Sequence, residues 1–228
     1  MKLIYTGKTK DVYKLSDGNV KLKFKDDMTG ADGQFDPGAN TVGLQIEGAG
    51  LSGLKMTSYF FKKLQEKKIP THFVESDFDD VTMTVKDAEM FGPGLEVICR
   101  YRAVGSFYRR FGSLCEEGQS LDAFVEVTIK DDERGDPPIS QDALVQLNIL
   151  SDRDYETLVQ LTKDISNFVK AELAEHQLEL YDIKLEFGRD KETKEIILID
   201  EISGGNMRVY NADNESVSPL QLGELFSK

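Results

Sequence analysis

The clearest structural signal is DIKLEFG at residues 182–188, where charged and apolar residues alternate strictly. Alternation with a period of two is typical of a β-strand, because successive side chains of a strand point to opposite faces. As a strand, this stretch places Asp182, Lys184 and Glu186 on one face and apolar residues on the other. A face with three charges indicates either a solvated sheet surface or a functional site.

A second strand is predicted directly downstream, after a polar loop at residues 188–194. The run IILI at residues 196–199 is wholly apolar, which indicates a buried strand, and it leads into Asp200 and Glu201. Carboxylates at the end of a buried strand are unfavourable unless they have a partner. A hairpin could bring Glu186 and Asp200 together, and Mg²⁺ prefers oxygen ligands beside a phosphate. The residues alone leave a magnesium site and a solvated charged face both open.

The rest of the chain predicts a mixture of strands and helices. Residues 1–35 predict β-hairpins around Asp17-Gly18, and residues 27–53, rich in Gly, Asp and Asn, predict a long loop. A helix is expected from Leu54 to Lys67 with Ser52 as its N-cap, and a longer one over residues 152–175 after Ser151. This order of elements predicts an α+β fold rather than regular βαβ winding.

The net charge excludes two broad classes of function. The 228 residues carry 41 Asp and Glu against 28 Lys and Arg, a formal net charge of −13. Nucleic acids and anionic membranes both attract basic surfaces, so we expect neither a nucleic-acid partner nor a membrane partner. The two cysteines, Cys99 and Cys115, have no metal-ligand or redox spacing, which is typical of a reduced cytoplasmic protein.

A second candidate site is the arginine-rich stretch RYRAVGSFYRR at residues 100–110. Arg100 and Arg102 share one face of a predicted strand, and Gly105-Ser106 would begin a helix. Arginine beside a helix N-terminus suits a phosphate or a carboxylate. A surface patch that neutralises nearby acids is the alternative, and the residues alone do not separate the two.

Two glycine-containing stretches are weaker signals for a nucleotide. GKTKDVY at residues 7–13 places Lys8 and Lys10 in a hairpin lobe, where they could contact phosphates, although the spacing is not that of a Walker A loop. GAGLSG at residues 48–53 matches the dinucleotide-binding pattern, but the segment before it is a poor buried parallel strand. A flexible loop before a helix explains those glycines more simply.

These blocks occur together, in this order, in one enzyme family. The chain resembles the SAICAR synthetases, the phosphoribosylaminoimidazole-succinocarboxamide synthases of purine biosynthesis. The resemblance rests on residues 7–13, on the arginine segment at 100–112, on DIKLEFG at 182–188, and on DEIS at 200–203 with Arg208. It spans essentially the whole chain.

The resemblance implies a two-lobed α+β fold and a set of site residues. The N-terminal lobe, residues 1–85, would be an antiparallel, β-rich ATP-binding lobe similar to those of kinases and ATP-grasp enzymes. The larger mixed lobe, residues 86–228, would hold the substrate and metal site. By similarity, the ATP site comprises Lys8, Lys10, Val12 and Lys86; the substrate site comprises Glu96, Arg100, Ser106 and Arg208; Mg²⁺ is held by Glu186 and Asp200; and the catalytic residues are Asp182 and Lys184.

The activity implied is an ATP-dependent amide ligation. Carboxyaminoimidazole ribonucleotide (CAIR) and L-aspartate would give SAICAR, ADP and phosphate through an acyl phosphate, since a carboxylate needs a leaving group before an amine can displace it. ATP and Mg²⁺ are the expected co-substrate and cofactor, and a cytoplasmic homodimer is expected. A small-molecule kinase with the same ATP lobe, a non-catalytic acidic binding module and a dehydrogenase remain as alternatives.

Overall fold

The computed structural model describes residues 1–31, 33–39 and 41–226. Its helices are α1 (Ala49–Glu66), α2 (Gly105–Phe111), α3 (Gln141–Gln146), α4 (Asp152–Ala174) and α5 (Pro219–Leu225), with short 3-10 turns at Asp132–Arg134 and Gly204–Asn206. Its strands are β1 (Lys2–Thr6), β2 (Lys10–Lys14), β3 (Val20–Phe24), β4 (Asp27–Ala31), β5 (Gln34–Phe35), β6 (Val42–Gln45), β7 (Phe73–Asp77), β8 (Thr82–Val85), β9 (Ala88–Met90), β10 (Leu95–Arg102), β11 (Ser120–Ile129), β12 (Glu179–Asp190), β13 (Ile196–Ile199) and β14 (Met207–Tyr210).

The described residues form two compact units. The first unit comprises those within residues 1–89, 188–206 and 218–226, and the second comprises residues 90–187 and 207–217. The separate contiguous lobes expected at residues 1–85 and 86–228 stay a prediction. The mixed α+β class with antiparallel sheets is confirmed.

The first unit is built on a five-stranded antiparallel sheet in the order β1-β2-β3-β8-β7. The predicted turn at Asp17-Gly18 joins β2 to β3, and Gly18 has φ +94°, a conformation that glycine adopts readily. Helix α1 packs on β3 and β7, and its side chains Leu54, Phe60 and Leu64 are fully buried. A hydrophobic core therefore lies between α1 and this sheet.

The prediction of one long loop over residues 27–53 is wrong. The described part of this range, which leaves out residues 32 and 40, contains a three-stranded antiparallel sheet in the order β5-β4-β6. These strands are short and glycine-containing, so their composition resembles that of a loop although their backbones pair. Because β6 pairs antiparallel with β4 before α1 begins, the glycines at 48–53 do not lie in a parallel βαβ unit.

Helix α1 begins earlier than predicted, at Ala49. Its N-cap is Gly48, at φ +82°, and the predicted cap Ser52 lies inside the helix. The Asp26 carboxylate accepts hydrogen bonds from the backbone N–H groups of Gly48 and Gly50 at 3.1 and 2.9 Å. A carboxylate distant in sequence thus satisfies the N–H groups that a local cap would otherwise satisfy.

The second unit contains an antiparallel sheet in which β11, β10 and β12 are neighbours and β14 also pairs with β12. Helix α4 packs on β10 and β11. The predicted Ser151 cap is confirmed: Ser151 and Asp154 form a reciprocal capping box, and Leu158, Ile165 and Val169 of the predicted apolar stripe are fully buried. The opposite face of the sheet is left for polar side chains.

Candidate active site

One face of the second unit's sheet carries most of the predicted substrate and catalytic residues. Strands β10 and β12 pair so that Arg100 lies opposite Asp182 and Glu96 lies opposite Glu186. On the other side of β12, Arg208 lies opposite Asp182. Side chains that are directly opposite in a sheet share a face. The shared face carries Glu96, Arg100, Asp182, Lys184, Glu186 and Arg208.

Arg100 is the centre of a buried ion-pair network on this face, with 2% of its surface exposed. Its Nε and Nη2 donate to Glu126 Oε1 at 2.8 and 2.6 Å, and its Nη1 donates to Asp182 Oδ2 at 2.8 Å. Arg100 Nη2 also donates to Ser106 Oγ at 2.8 Å. Arg208 Nη1 donates to the same Asp182 oxygen at 2.7 Å. The structure thus brings together three of the predicted substrate-binding residues, Arg100, Ser106 and Arg208, and the predicted catalytic residue Asp182.

Glu126 connects this network to a further arginine. While its Oε1 faces Arg100, its Oε2 accepts a hydrogen bond from Arg110 Nη2. The three arginines 100, 110 and 208 and the two carboxylates 126 and 182 leave a net charge of 3 − 2 = +1 in the network. A cluster with one surplus guanidinium favours a further anionic group such as a phosphate.

Gly105 allows the start of α2 to approach this network closely. It has φ +56°, and a Cβ at this position would lie 2.9 Å from the Arg208 guanidinium carbon. The predicted helix beginning at Gly105-Ser106 is confirmed, and the absence of a side chain at Gly105 leaves room for Arg208.

Lys184 and Glu96 form an ion pair farther along the same face. Lys184 Nζ donates to Glu96 Oε1 at 2.8 Å, and Thr128 Oγ1 donates to Glu96 Oε2 at 3.4 Å. Lys184 keeps 25% of its side chain exposed whereas Glu96 keeps 9%, so the ammonium lies at the accessible end of the pair. Burial raises the pKa of the nearby Asp136 carboxyl, and the charges of Glu96 and Asp132 raise it further.

The predicted metal ligand Glu186 has a lysine partner. Lys130 Nζ donates to Glu186 Oε1 at 2.7 Å, with 41% of the lysine side chain exposed and 12% of the glutamate. The carboxylate is therefore largely covered while its cation is accessible. This geometry holds Glu186 in one position at the edge of the polar face.

In the first unit, Lys10 is buried between two carboxylates at the end of β13. Lys10 Nζ lies 3.1 Å from Asp200 Oδ1 and also pairs with Glu201 Oε1. Burial on its own lowers the pKa of the Lys10 ammonium, but the charges of Asp200 and Glu201 and their hydrogen bonds outweigh burial and raise it. Lys10 therefore stays protonated.

Asp200 has a strained backbone that a buried histidine supports. Its φ is +64°, in the left-handed region that is unfavourable for a residue with a Cβ. The His72 Nε2 lies 3.3 Å from the Asp200 carbonyl oxygen, and His72 N–H donates to Leu198 O at 2.9 Å. Burial lowers the pKa of His72 to about 4. A neutral imidazole thus contacts the residue where β13 turns.

The other residues predicted for the ATP site lie on or beside the sheet of the first unit. Val12 is in β2, where it pairs with Leu22 of β3, and Lys8 lies in the turn that precedes β2. Lys86 follows β8, and its Nζ lies 3.1 Å from the Asp190 Oδ2. The Asp190 side chain is 6% exposed, whereas the Lys86 side chain is 52% exposed, so an ammonium at the surface is held by a buried acid.

Comparison with known proteins identifies the family. The family model described as SAICAR synthetase matches residues 3–222. A phosphoribosylaminoimidazole-succinocarboxamide synthase from Clostridium tetani is 62% identical over 225 residues, which is 99% of each chain. The chain belongs to the SAICAR synthetase family. It is therefore an enzyme, and members of this family are carbon–nitrogen ligases.

Solved SAICAR synthetase structures share this fold. A SAICAR synthetase in complex with ADP has a TM-score of 0.81 and 31% identity, over 93% of this chain and 86% of that one. The enzyme from Ehrlichia chaffeensis has a TM-score of 0.83 and 28% identity, over 94% of this chain and 88% of that one. The resemblance inferred from four sequence blocks is confirmed along nearly the full length.

The oxygen donors at the end of β13 suit Mg²⁺ without a preformed protein cage. Among residues 1–31, 33–39 and 41–226, no group of three or more His, Cys, Asp or Glu is arranged to hold a metal ion. Mg²⁺ commonly takes only one or two carboxylates and completes its shell with phosphate oxygens and water. Asp200 and Glu201 already converge on the Lys10 cation, so hard oxygen donors suited to a cation are present at this strand end.

The sequence analysis missed Glu126 and Glu201 as members of the site. Glu126 lies in a stretch of β11, FVEVT, that alternates as any half-buried strand does, so only its register against β10 reveals the contact with Arg100. Glu201 is adjacent to the predicted Asp200, and its pairing with Lys10 joins residues far apart in sequence.

No helix in the described part of the chain is long and apolar enough to cross a membrane.

Proposed function

We propose that this protein catalyses the ATP-dependent ligation of CAIR with L-aspartate to give SAICAR, ADP and phosphate, through an acyl phosphate of the CAIR carboxylate. The similarity to a SAICAR synthase over 99% of the chain supports this activity. The observation that carries the proposal is the network of Arg100, Ser106, Arg208 and Asp182, in which residues assigned to one substrate are hydrogen-bonded to one another.

The arginine network would bind the phosphate of the ribonucleotide. Its net positive charge favours one anion, and bidentate guanidinium groups fix a phosphate in orientation as well as in position. Arg208 and Arg110 have 17% and 29% of their side chains exposed, whereas Arg100 has 2%. Arg208 and Arg110 would therefore contact the phosphate most directly, while Arg100 holds the network together.

Lys184 and Asp182 would act at the reacting part of CAIR. The Lys184 ammonium, held by Glu96, can neutralise the carboxylate that is phosphorylated and the charge that grows on it during transfer. Asp182, fixed by two arginines, can accept a hydrogen bond from the amino-substituted imidazole ring. Phosphoryl transfer of this kind depends on positioning and charge neutralisation more than on a covalent nucleophile.

ATP would be bound by Lys8, Lys10, Val12 and Lys86, and the lysines would contact its phosphates. The proposed Mg²⁺ ligands are Glu186 and Asp200, and the metal, when bound, would neutralise charge on the transferred phosphate. A two-lobe organisation at residues 1–85 and 86–228, a cytoplasmic location and a homodimer belong to the same proposal.

The test is the dependence of ADP release on L-aspartate. With ATP, Mg²⁺ and CAIR present, ADP release should require L-aspartate and should match SAICAR formation one for one, measured by a coupled ADP assay and by chromatography. A small-molecule kinase, the second candidate, would release ADP without L-aspartate. If no ADP is released with all three substrates present, the ligase and kinase proposals are both wrong.

A further inference from the structure

The turn before β2 is closed by a hydrogen bond of its own backbone. The Gly7 N–H donates to the Lys10 carbonyl at 2.8 Å. A Cβ at Gly7 would lie 2.8 Å from that same oxygen, so a side chain there would push the turn open. The turn carries Lys8 and Lys10, two lysines that are proposed to bind the phosphates of ATP.

Lys25, directly after β3, holds this turn with both its backbone and its side chain. Its N–H donates to the Thr9 carbonyl at 2.9 Å, and its Nζ donates to the Gly7 carbonyl at 2.8 Å. The two carbonyls lie on either side of Lys8. Because C=O and N–H of a planar peptide point in opposite directions, drawing both carbonyls toward Lys25 turns the Lys8 and Lys10 N–H groups the other way.

The charge on Lys25 is also needed locally. Its Nζ lies 3.5 Å from Asp27 Oδ2 and 4.0 Å from Asp11 Oδ1. That Asp11 oxygen is buried and accepts no hydrogen bond from the described residues. The Lys25 ammonium is therefore the countercharge for two acids next to a turn that is proposed to receive a polyphosphate.

We propose that Lys25 is a positioning residue for ATP: it fixes the turn at residues 7–10 so that Lys8 and Lys10 are presented to the phosphates. The inference rests on the proposed function of this turn. Lys25 lines a cavity of about 30 Å³ that is also bordered by Thr9 and by Glu201, the partner of Lys10. Lys25 acts by fixing the turn and is not proposed to contact ATP itself.

The alternative is that Lys25 only stabilises the sheet. Lys25→Met, Lys25→Arg and the matched control Lys23→Met distinguish the two, because Lys23 is an exposed lysine of β3 two residues before Lys25. The measurements are the Kd for ADP by calorimetry, the KM values for ATP and L-aspartate, and Tm. If Lys25 only stabilised the sheet, the KM values for ATP and L-aspartate would change together.

We expect Lys25→Met to raise the Kd for ADP and the KM for ATP about tenfold or more. This is the effect expected from losing the charge-assisted hydrogen bond between Lys25 Nζ and the Gly7 carbonyl, which fixes the turn. The KM for L-aspartate should stay within about twofold, Lys25→Arg should recover most of the loss, and Lys23→Met should match wild type. The proposal is overturned if Lys25→Met binds ADP as Lys23→Met does, or if both KM values rise together.

The proposed function can fail separately from this inference. If wild type binds ADP but shows no aspartate-dependent ADP release, the ligase is wrong. Weakened ADP binding in Lys25→Met would still support the positioning role in that case.

Discussion

Replacing Arg100 by methionine should destabilise the protein far more than the same change two residues along the strand. Arg100→Met leaves the carboxylates of Glu126 and Asp182 in place, with 9% and 4% of their side chains exposed. Breaking a buried ion pair from one side destabilises by about 3–5 kcal/mol, because the other charge stays buried. Each carboxylate keeps one arginine, Arg110 or Arg208, so we expect about 3 kcal/mol, the lower end of that range.

Arg102→Met is the matched control. Arg102 lies on the same strand and pairs with Glu179, but 33% and 42% of their side chains are exposed. Exposed ion pairs contribute about 0–1 kcal/mol. With Tm falling by about 2–4 °C for each kcal/mol in a chain of this size, Arg100→Met should lower Tm by about 6–12 °C and Arg102→Met by at most about 4 °C.

Thermal melting followed by far-UV circular dichroism at neutral pH measures both variants, in low salt and in high salt. The effect of Arg102→Met should shrink with salt, whereas that of Arg100→Met should persist, because buried pairs are poorly screened. Equal Tm values for the two variants, or an Arg100→Met effect that salt removes, would show that the network does not contribute to stability as its burial implies.

Three further predictions concern a carboxylate, a histidine and a glycine. Glu186→Gln should keep the wild-type circular dichroism spectrum but lose Mg²⁺-dependent turnover; near-wild-type kcat would refute the metal assignment. Burial lowers the pKa of His72 from 6.5 to about 4, so the unfolded chain binds a proton first as pH falls. The free energy of unfolding should therefore drop by about 2 kcal/mol more between pH 7.5 and pH 5 than it does in His72→Phe, as urea titrations at each pH would show. Gly105→Ala should raise the KM for CAIR, because its Cβ would lie 2.9 Å from Arg208, whereas Gly118→Ala, at a φ of +75° with open space around it, should not; equal KM values would contradict this.

The polar face of β12 could be predicted because its signal is local. Strict alternation in DIKLEFG fixes which side chains share a face whatever the strand pairs with, and the structure places Asp182, Lys184 and Glu186 together. The α4 helix was similarly predictable from its Ser151 cap and apolar stripe.

The contacts that were not predictable depend on pairing between distant residues. Glu126 meets Arg100 only through the β10–β11 register, and the start of α1 at Ala49 is capped by Asp26, which lies between β3 and β4. The alternation and the secondary-structure propensity of one segment contain no information on either of these two contacts. The sequence therefore predicts the faces of individual strands better than the partners that meet on them.

The protonated state of Lys10 has a chemical consequence for a reaction that passes through an acyl phosphate. Such an intermediate acylates any amine that has a lone pair, and an unprotonated lysine near it would be consumed. With Asp200 and Glu201 raising the pKa of its ammonium, Lys10 has no lone pair to offer. In the proposed reaction this ammonium would not compete with the amine of L-aspartate for the acyl phosphate.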